Sequence, residues 1–280
     1  MMKMIYVPLI KKALKEDLGK NGDITTDSII PEKQKGKAVL KAKSNGILCG
    51  LEVFEDTFFY VDKDLKIETF FKDGNRLEKG DVVAVIKGRL NSILKAERTA
   101  LNFIQRMSGI STAADQFVSA VSGTNATILD TRKTLPGFRI LDKYAVKTGG
   151  AKNHRMGLFD MFLIKDNHIS AAGSVTKAIE KALKFKKDNK LKAKIEVEIK
   201  NITEFKEALA LEVDWIMLDN MKTDEIKKCV SLNKGKKKLE VSGNVTLDTV
   251  RKLAETGVDY ISSGSLTHSV KALDLSLLVE

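Results

Sequence analysis

The chain has 280 residues, 43% hydrophobic and 6% aromatic, with a formal net charge of +11. That size builds one large or two modest domains with a sizeable core, while no apolar run approaches the ~20 residues a membrane helix needs. The charge raises nucleic acid as a partner, but so few aromatics are a poor supply of base-stacking platforms.

The opening "MMKMIYVPLIKK" holds too short an apolar stretch for a secretory signal and has no small-residue cleavage site. Residues 7–17 carry apolar side chains at helical spacing, with Leu9, Ile10, Ala13 and Leu14 on one side. Residues 36–50 alternate like a strand pair broken at Asn45-Gly46, and 65–88 read as short strands with turns at Asp73-Gly74 and Lys79-Gly80. The last of these has the cadence of a biotinyl or lipoyl carrier domain but no modifiable lysine tip. Residues 91–111 predict a helix, with Ser92 as N-cap and Gly109 as stop. The cysteines, Cys49 and Cys229, stand far apart with no metal-like spacing, and only three histidines occur. They read as reduced thiols of a cytoplasmic protein, without a zinc site.

From about residue 112 the rhythm changes to repeated βα units. Strand candidates are 126–130, 161–165, 194–199, 214–219, 238–243 and 259–264, with helical stretches at 174–187, 202–211, 223–232 and 247–257. Such alternation implies a parallel sheet with right-handed crossovers. The later spacing of about 20 residues per unit suits a barrel, of which six strands are legible, with a doubly wound open sheet as the alternative. No G-x-G-x-x-G follows the first strand, which counts against a dinucleotide fold. The lysine runs at 184–194 and 233–238 read as solvated helix ends and loops.

In α/β barrels the reactive groups collect where strands end. "DTRKTLPG" (130–137) places Asp130, Thr131, Arg132 and Lys133 after the first strand. "GGAKNHRMG" (149–157) brings His154 and Arg155, and Lys165 to His168 follow the second strand. Glu196 and Glu198 share one face of the third, with an exposed edge as the plain alternative. The fourth ends in Asp219 and Asn220, the fifth in Ser242, Gly243 and Asn244, and the sixth in Ser263, Gly264 and Ser265. A cationic arc thus faces the acids Glu198 and Asp219, and the last two loops suit a phosphate. The site reads as built for a small polyanion and a phosphorylated partner. His268, in "SLTHS", reads as a loop-orienting residue.

"LDTRKTLPG" (129–137), "KYAVKTGGAKNHRMGL" (143–158) and "LIKDNHI" (163–169) together resemble the quinolinate phosphoribosyltransferases. The likeness continues through "VEIKN" (197–201), "IMLDN" (216–220), "VSGN" (241–244) and "SGSLTHS" (263–269), and back into "ALKEDLGKNGDITT" (13–26), "GILCGLEVFE" (46–55) and "ERTALNFIQRMSGIST" (97–112). The resemblance implies an α/β protein with an N-terminal α/β sandwich (1–111) and an incomplete, open parallel α/β barrel (112–269), with segment 270–280 packing back on the sandwich. It implies transfer of phosphoribose from 5-phosphoribosyl-1-pyrophosphate (PRPP) to quinolinate with decarboxylation. The products are nicotinate mononucleotide, pyrophosphate and CO2, on the way to NAD. By the same resemblance Thr131, Arg132, Lys133, His154, Arg155 and Lys165 bind quinolinate, with Arg98 lent by a neighbouring subunit of a homodimer or larger assembly. Lys133, Lys165, Glu198 and Asp219 are the expected catalytic set. Glu198 and Asp219 join Ser242, Gly243, Asn244, Ser263, Gly264 and Ser265 in holding PRPP. Mg2+ is expected on the PRPP phosphates, reached from Glu198 and Asp219 through water. Molybdenum-linked paralogues and nicotinate phosphoribosyltransferases share the architecture; "LIKDNHI" with "NHRMG" favours quinolinate.

Overall fold

The computed structural model describes residues 3–280, in two compact units. The first comprises residues up to Asp115, Pro136–Gly150 and Val270–Glu280; the second comprises Gln116–Leu135 and Ala151–Ser269.

The first unit opens with helices α1 (Lys3–Leu18) and α2 (Ile24–Ile29). Strands β1 (Lys35–Ala42) and β2 (Gly46–Ile47), helix α3 (Leu51–Val61) and strands β3 (Lys66–Thr69), β4 (Arg76–Leu77) and β5 (Val82–Arg89) follow. Most of the long helix α4 (Leu90–Ala120), helix α5 (Arg139–Thr148) and the last strand β12 (Leu275–Val279) complete it. The sheet is antiparallel, in the order β12-β1-β5-β3. Along β1, Ala38, Leu40 and Ala42 enter the core beside Leu48, Phe54, Phe58, Ile86, Ile93 and Ile104. Each Leu, Ile or Phe among them contributes about 1.5–3 kcal/mol on burial. On α1 the inward residues are Tyr6, Ile10 and Leu14, and the Tyr6 hydroxyl donates to Asp56 on α3 at 2.7 Å.

Two local expectations fail here. Asn45-Gly46 does not close a hairpin between β1 and β2, because β1 pairs with β5 and β12 while β2 pairs with β4. The Asn45 side chain instead accepts the Lys79 N–H at 2.8 Å, which ties the turn to the one after β4. Nor does Gly109 stop a helix that starts at Ser92: α4 runs to Ala120, with Ser92 buried within it. Gly109 serves close packing, since a Cβ there would lie 2.3 Å from the Lys271 carbonyl. The returning chain passes at that point, with the Leu273 N–H bonded to the Gln105 carbonyl at 3.0 Å.

The second unit is a parallel sheet of six strands: β6 (Thr127–Leu129), β7 (Met161–Ile164), β8 (Lys194–Ile199), β9 (Trp215–Asp219), β10 (Lys238–Ser242) and β11 (Tyr260–Ser262). Its order is β6-β11-β10-β9-β8-β7, so β6 and β7 are edges and the barrel is open. Helices α6 (Asp166–Ala172), α7 (Val175–Asp188), α8 (Ile202–Leu209), α9 (Thr223–Asn233) and α10 (Leu247–Ala254) connect the strands, and α11 (Ser265–His268) follows β11. Ile195, Val197 and Ile199 on β8, Ile216 and Leu218 on β9, and Leu239 and Val241 on β10 are all buried. So are Ile179, Phe205, Ile226 and Val250 of the covering helices. Alternation sends the intervening residues of each strand to the opposite face. On β8 those are Glu196 and Glu198, both buried, so this strand is no exposed edge. Among the described residues no helix is long and apolar enough to cross a membrane.

Candidate active site

The C-terminal ends of the parallel strands surround a cavity of about 760 Å³. It is lined by Thr131, Arg132, Lys133, His154, Arg155, Lys165, Glu198 and Asp219, and by Ser242, Gly243, Asn244, Ser263, Gly264 and Ser265. All fourteen stand on the strand ends and loops of the second unit. Arg98, the remaining expected site residue, is exposed on α4 in the first unit and is not among the lining residues. A wider groove of about 1020 Å³ lies between the end of α7 and the loops before β9 and β10. Its lining is five lysines, the acids Asp188, Glu212 and Asp214, and Leu183, Leu191 and Val213, and it gathers no strand-end acid or hydroxyl.

The cationic arc is built by buried anchors. Asp130, fully buried at the end of β6, accepts the His154 N–H at 2.8 Å and so draws the 151–157 loop to this edge. Arg155 is 9% exposed, with its guanidinium donating to the Met161 carbonyl at 3.1 Å. Burial and then the charge of Arg132 hold its pKa below the usual arginine value, against the pull of Glu196 and Asp160. Two guanidiniums close enough to repel, in a partly dry place, favour an anion between them. Lys133 is exposed; its N–H donates to the Thr131 hydroxyl at 3.0 Å, and its carbonyl accepts the Thr267 hydroxyl at 2.8 Å.

Across the cavity, the Lys165 ammonium donates to Glu198 at 2.5 Å. His168 does not line the cavity; its ring accepts the Lys165 N–H at 2.9 Å and caps α6. Asp166 is engaged outside the cavity, by Lys200 at 2.8 Å. The Asn220 amide donates to Asp219 at 3.0 Å, and its oxygen accepts from Asn244 at 3.0 Å. This bridge explains Gly243: with φ +98 and a notional Cβ 2.3 Å from the Asn220 oxygen, only glycine fits. The Ser263 hydroxyl bonds Ser265 at 2.7 Å and the Val245 carbonyl at 3.1 Å, pinning the last loop to the one after β10.

Below this rim the floor holds residues that sequence reasoning missed. Glu240 on β10 is fully buried yet lines the cavity, with Met217 and Leu163 beside it. The signal for Glu240 was its position two residues before Ser242, hence on the same face of the strand. Glu196 accepts from His154 Nε2 at 2.8 Å, and Glu240 lies 3.4 Å from the same nitrogen. Burial and then the charge of Glu240 push the Glu196 carboxyl up to about 8, against the opposing influence of His154. Burial disfavours a charged imidazole, while the neighbouring carboxylates of Glu196 and Glu240 pull the other way. His154 Nδ1 accepts the Arg155 N–H at 2.7 Å. An accepting nitrogen carries no hydrogen, so the ring is in its Nε2–H form. His154 therefore lines the cavity with both ring nitrogens engaged. His268 also lines it, exposed, with Nδ1 2.6 Å from the Ser269 hydroxyl.

An open α/β barrel with guanidiniums, carboxylates and Gly-Ser loops around one strand-end cavity defines a class, the barrel enzymes that handle small polyanions. Family models narrow it: residues 110–278 match the quinolinate phosphoribosyl transferase C-terminal domain, and 23–108 match the N-terminal domain of the same family. The chain belongs to the quinolinate phosphoribosyl transferase family. It is 46% identical to quinolinate phosphoribosyltransferase [decarboxylating] 1b of Nicotiana tabacum, over 97% of this chain and 81% of that one. It is 43% identical to a probable nicotinate-nucleotide pyrophosphorylase [carboxylating] of Bacillus subtilis (strain 168), over 94% and 89%. The crystal structure of NadC from Streptococcus pyogenes superposes with a TM-score of 0.94 at 40% identity, over 100% of this chain and 99% of that one.

Proposed function

We infer that this chain transfers phosphoribose from PRPP to quinolinate with loss of CO2, giving nicotinate mononucleotide and pyrophosphate for NAD synthesis. The observation that carries this reading is the Arg132–Arg155 pair, two repelling guanidiniums at the edge of a cavity whose far side is acidic. Quinolinate has adjacent carboxylates, and guanidinium forks accept such groups in bidentate fashion. Lys133, exposed beside them, and Thr131 complete that arc. The Ser242–Asn244 and Ser263–Ser265 loops take the 5-phosphate.

As the pyridine nitrogen attacks the ribose C1 and pyrophosphate leaves, positive charge grows on the sugar. Glu198 and Asp219 on neighbouring strands face the cavity from the correct side to stabilise it. Lys165 holds Glu198 in place. Lys165 and Lys133 are the cations available to steady the carboxylate that departs as CO2. Two carboxylates at the rim, one of them already bonded to a lysine, suit Mg2+ held mainly by phosphates and water rather than by a protein cage. Bound there, Mg2+ would neutralise the pyrophosphate, with Asp219 and Glu198 reaching it through water. Arg98, exposed and outside the lining set, fits a group lent to another copy of the chain.

The deciding assay supplies quinolinate, PRPP and Mg2+ and measures CO2 and nicotinate mononucleotide. Product with nicotinate in place of quinolinate, and none with quinolinate, would overturn the assignment. Arg132→Ala is expected to abolish quinolinate binding in calorimetric titration while the circular dichroism spectrum is retained. Unchanged affinity would remove Arg132 from the site.

A further inference from the structure

The transfer chemistry leaves two of the most enclosed charged groups unused. Glu196 and Glu240 are both 0% exposed, on inward positions of β8 and β10, the two strands that flank β9, and each stands one alternation before Glu198 or Ser242. Oε1 of Glu196 and both oxygens of Glu240 have no hydrogen-bond partner. Level with them in the register, Trp215 beside Glu196 and Tyr260 beside Glu240 stack with centroids 4.3 Å apart, and Trp215 meets the His154 ring edge-on at 5.9 Å. Burying acids so poorly satisfied costs stability. Apolar side chains at these positions would make a better barrel core, so stability alone does not account for them.

What they touch is His154. Its Nε2 meets Glu196 at 2.8 Å and Glu240 at 3.4 Å, its Nδ1 takes the Arg155 N–H at 2.7 Å, and its own N–H is held by Asp130 at 2.8 Å. The imidazole is gripped at both ends, and one of those grips is the backbone of Arg155. We propose that Glu196 and Glu240 are positioning residues: they clamp His154 with Nε2–H turned down into the barrel, and through it fix Arg155 for the substrate carboxylate. Glu240 also forms part of the cavity floor, where an acid keeps an anionic base up against the guanidiniums. His154 on this account shapes the carboxylate site and does not itself donate to the substrate. The proposal rests on the quinolinate reading given above, and its test separates the two.

Steady-state kinetics on Glu196→Leu and Glu196→Gln read the clamp. Glu196→Leu removes the acceptor for Nε2–H and should raise the quinolinate KM about 10–100-fold, the scale seen when a group orienting a ligand-binding histidine is lost. The PRPP KM should stay within about 2-fold. Glu196→Gln keeps an oxygen acceptor and should restore the quinolinate KM to within about 3-fold of the wild type. Equal rises in both KM values, no rise in either, or a Gln variant as impaired as Leu would each overturn the positioning role. If Glu196→Leu does not fold, 15N spectra of the histidine side chains in the wild type decide, with His154 assigned by its loss in His154→Gln. The Nε2–H tautomer should persist with and without quinolinate. A ring that takes up Nδ1–H, or whose Nε2 signal moves when quinolinate binds, would overturn the clamp. The same three groups lie within 4.8 Å of one another. Stoichiometric Zn2+ uptake that disappears in Glu240→Gln would therefore overturn it as well, by making the ring a metal ligand. A wild-type protein inert toward quinolinate sinks the functional reading, whereas an active one whose Glu196→Leu variant keeps its quinolinate KM sinks only the clamp.

Discussion

Strands β1 and β8 both alternate charged and apolar residues, although buried Val39 interrupts the charged row of β1, and the charged residues have opposite fates. On β1, Ala38, Leu40 and Ala42 are buried while Lys37 and Lys41 reach solvent, where both pair with Glu280 at 2.8 and 3.6 Å. On β8, Ile195, Val197 and Ile199 are buried and so are Glu196 and Glu198. The difference lies in what covers each face. An antiparallel sheet has one core face and one wet face, whereas a parallel barrel buries both, one under helices and one toward its own axis. Charge on the wet face of β1 is nearly free of consequence. Charge on the inner face of β8 is costly, and it is kept where chemistry or positioning needs it.

That contrast can be broken in stages. Glu198→Gln should lower kcat about 100–1000-fold, near 3–4 kcal/mol of transition-state stabilisation, with substrate affinities little changed. Steady-state kinetics that showed equal losses in kcat and affinity would deny Glu198 that role. Leu40→Ala, on the core face of β1, should cost about 2–4 kcal/mol in a denaturant titration. Its effect on either KM should be negligible, since the damage lies in the other unit's core.

Glu196 should also show in the pH dependence of stability. Because the folded-state pKa of Glu196 is raised, to about 8, the native protein keeps a proton that the unfolded chain has released. Stability from this group is complete below its unfolded pKa of about 4.3 and declines as pH rises toward the folded value, by at most about 1.4 kcal/mol per pH unit. Glu196→Gln should flatten that decline between roughly pH 5 and 8, as read from denaturation midpoints. An unaltered slope would place the proton elsewhere. The smallest effect belongs to Lys37→Ala. Its pair with Glu280 is exposed on both sides, so the change should stay within about 1 kcal/mol and shrink further in salt.

The six parallel strands were legible because each is a short, mostly apolar run set between helical or loop stretches, and the observed bounds fall inside those expected. The rim of the cavity was legible for a related reason. Strand ends are where βα loops begin, so Arg132, Lys165, Asp219 and Ser242 declare their neighbourhood by position alone. The first unit was harder. Its pairing of β1 with the distant β12 joins residues nearly the whole chain apart, and no local signal says which strand a tail will choose. Gly109 misled because glycine at a helix stop and glycine at a close crossing look the same in one dimension. Glu240 escaped notice because a lone acid in "KLEVSG" reads as solvated until its strand is known to be central.

By itself, then, the sequence determined the βα rhythm and the ring of charged residues at the strand ends, because these depend on periodicity and on local order along the chain, while motifs such as "DTRKTLPG" carried the family resemblance and, with it, the open barrel. Only the tertiary structure decided which acids are dry. Glu196 and Glu240 become a clamp on His154 because β8 and β10 flank β9 in the sheet and turn the same face toward the barrel axis. That choice belongs to sheet order and closure, and no stretch of the chain carries it alone.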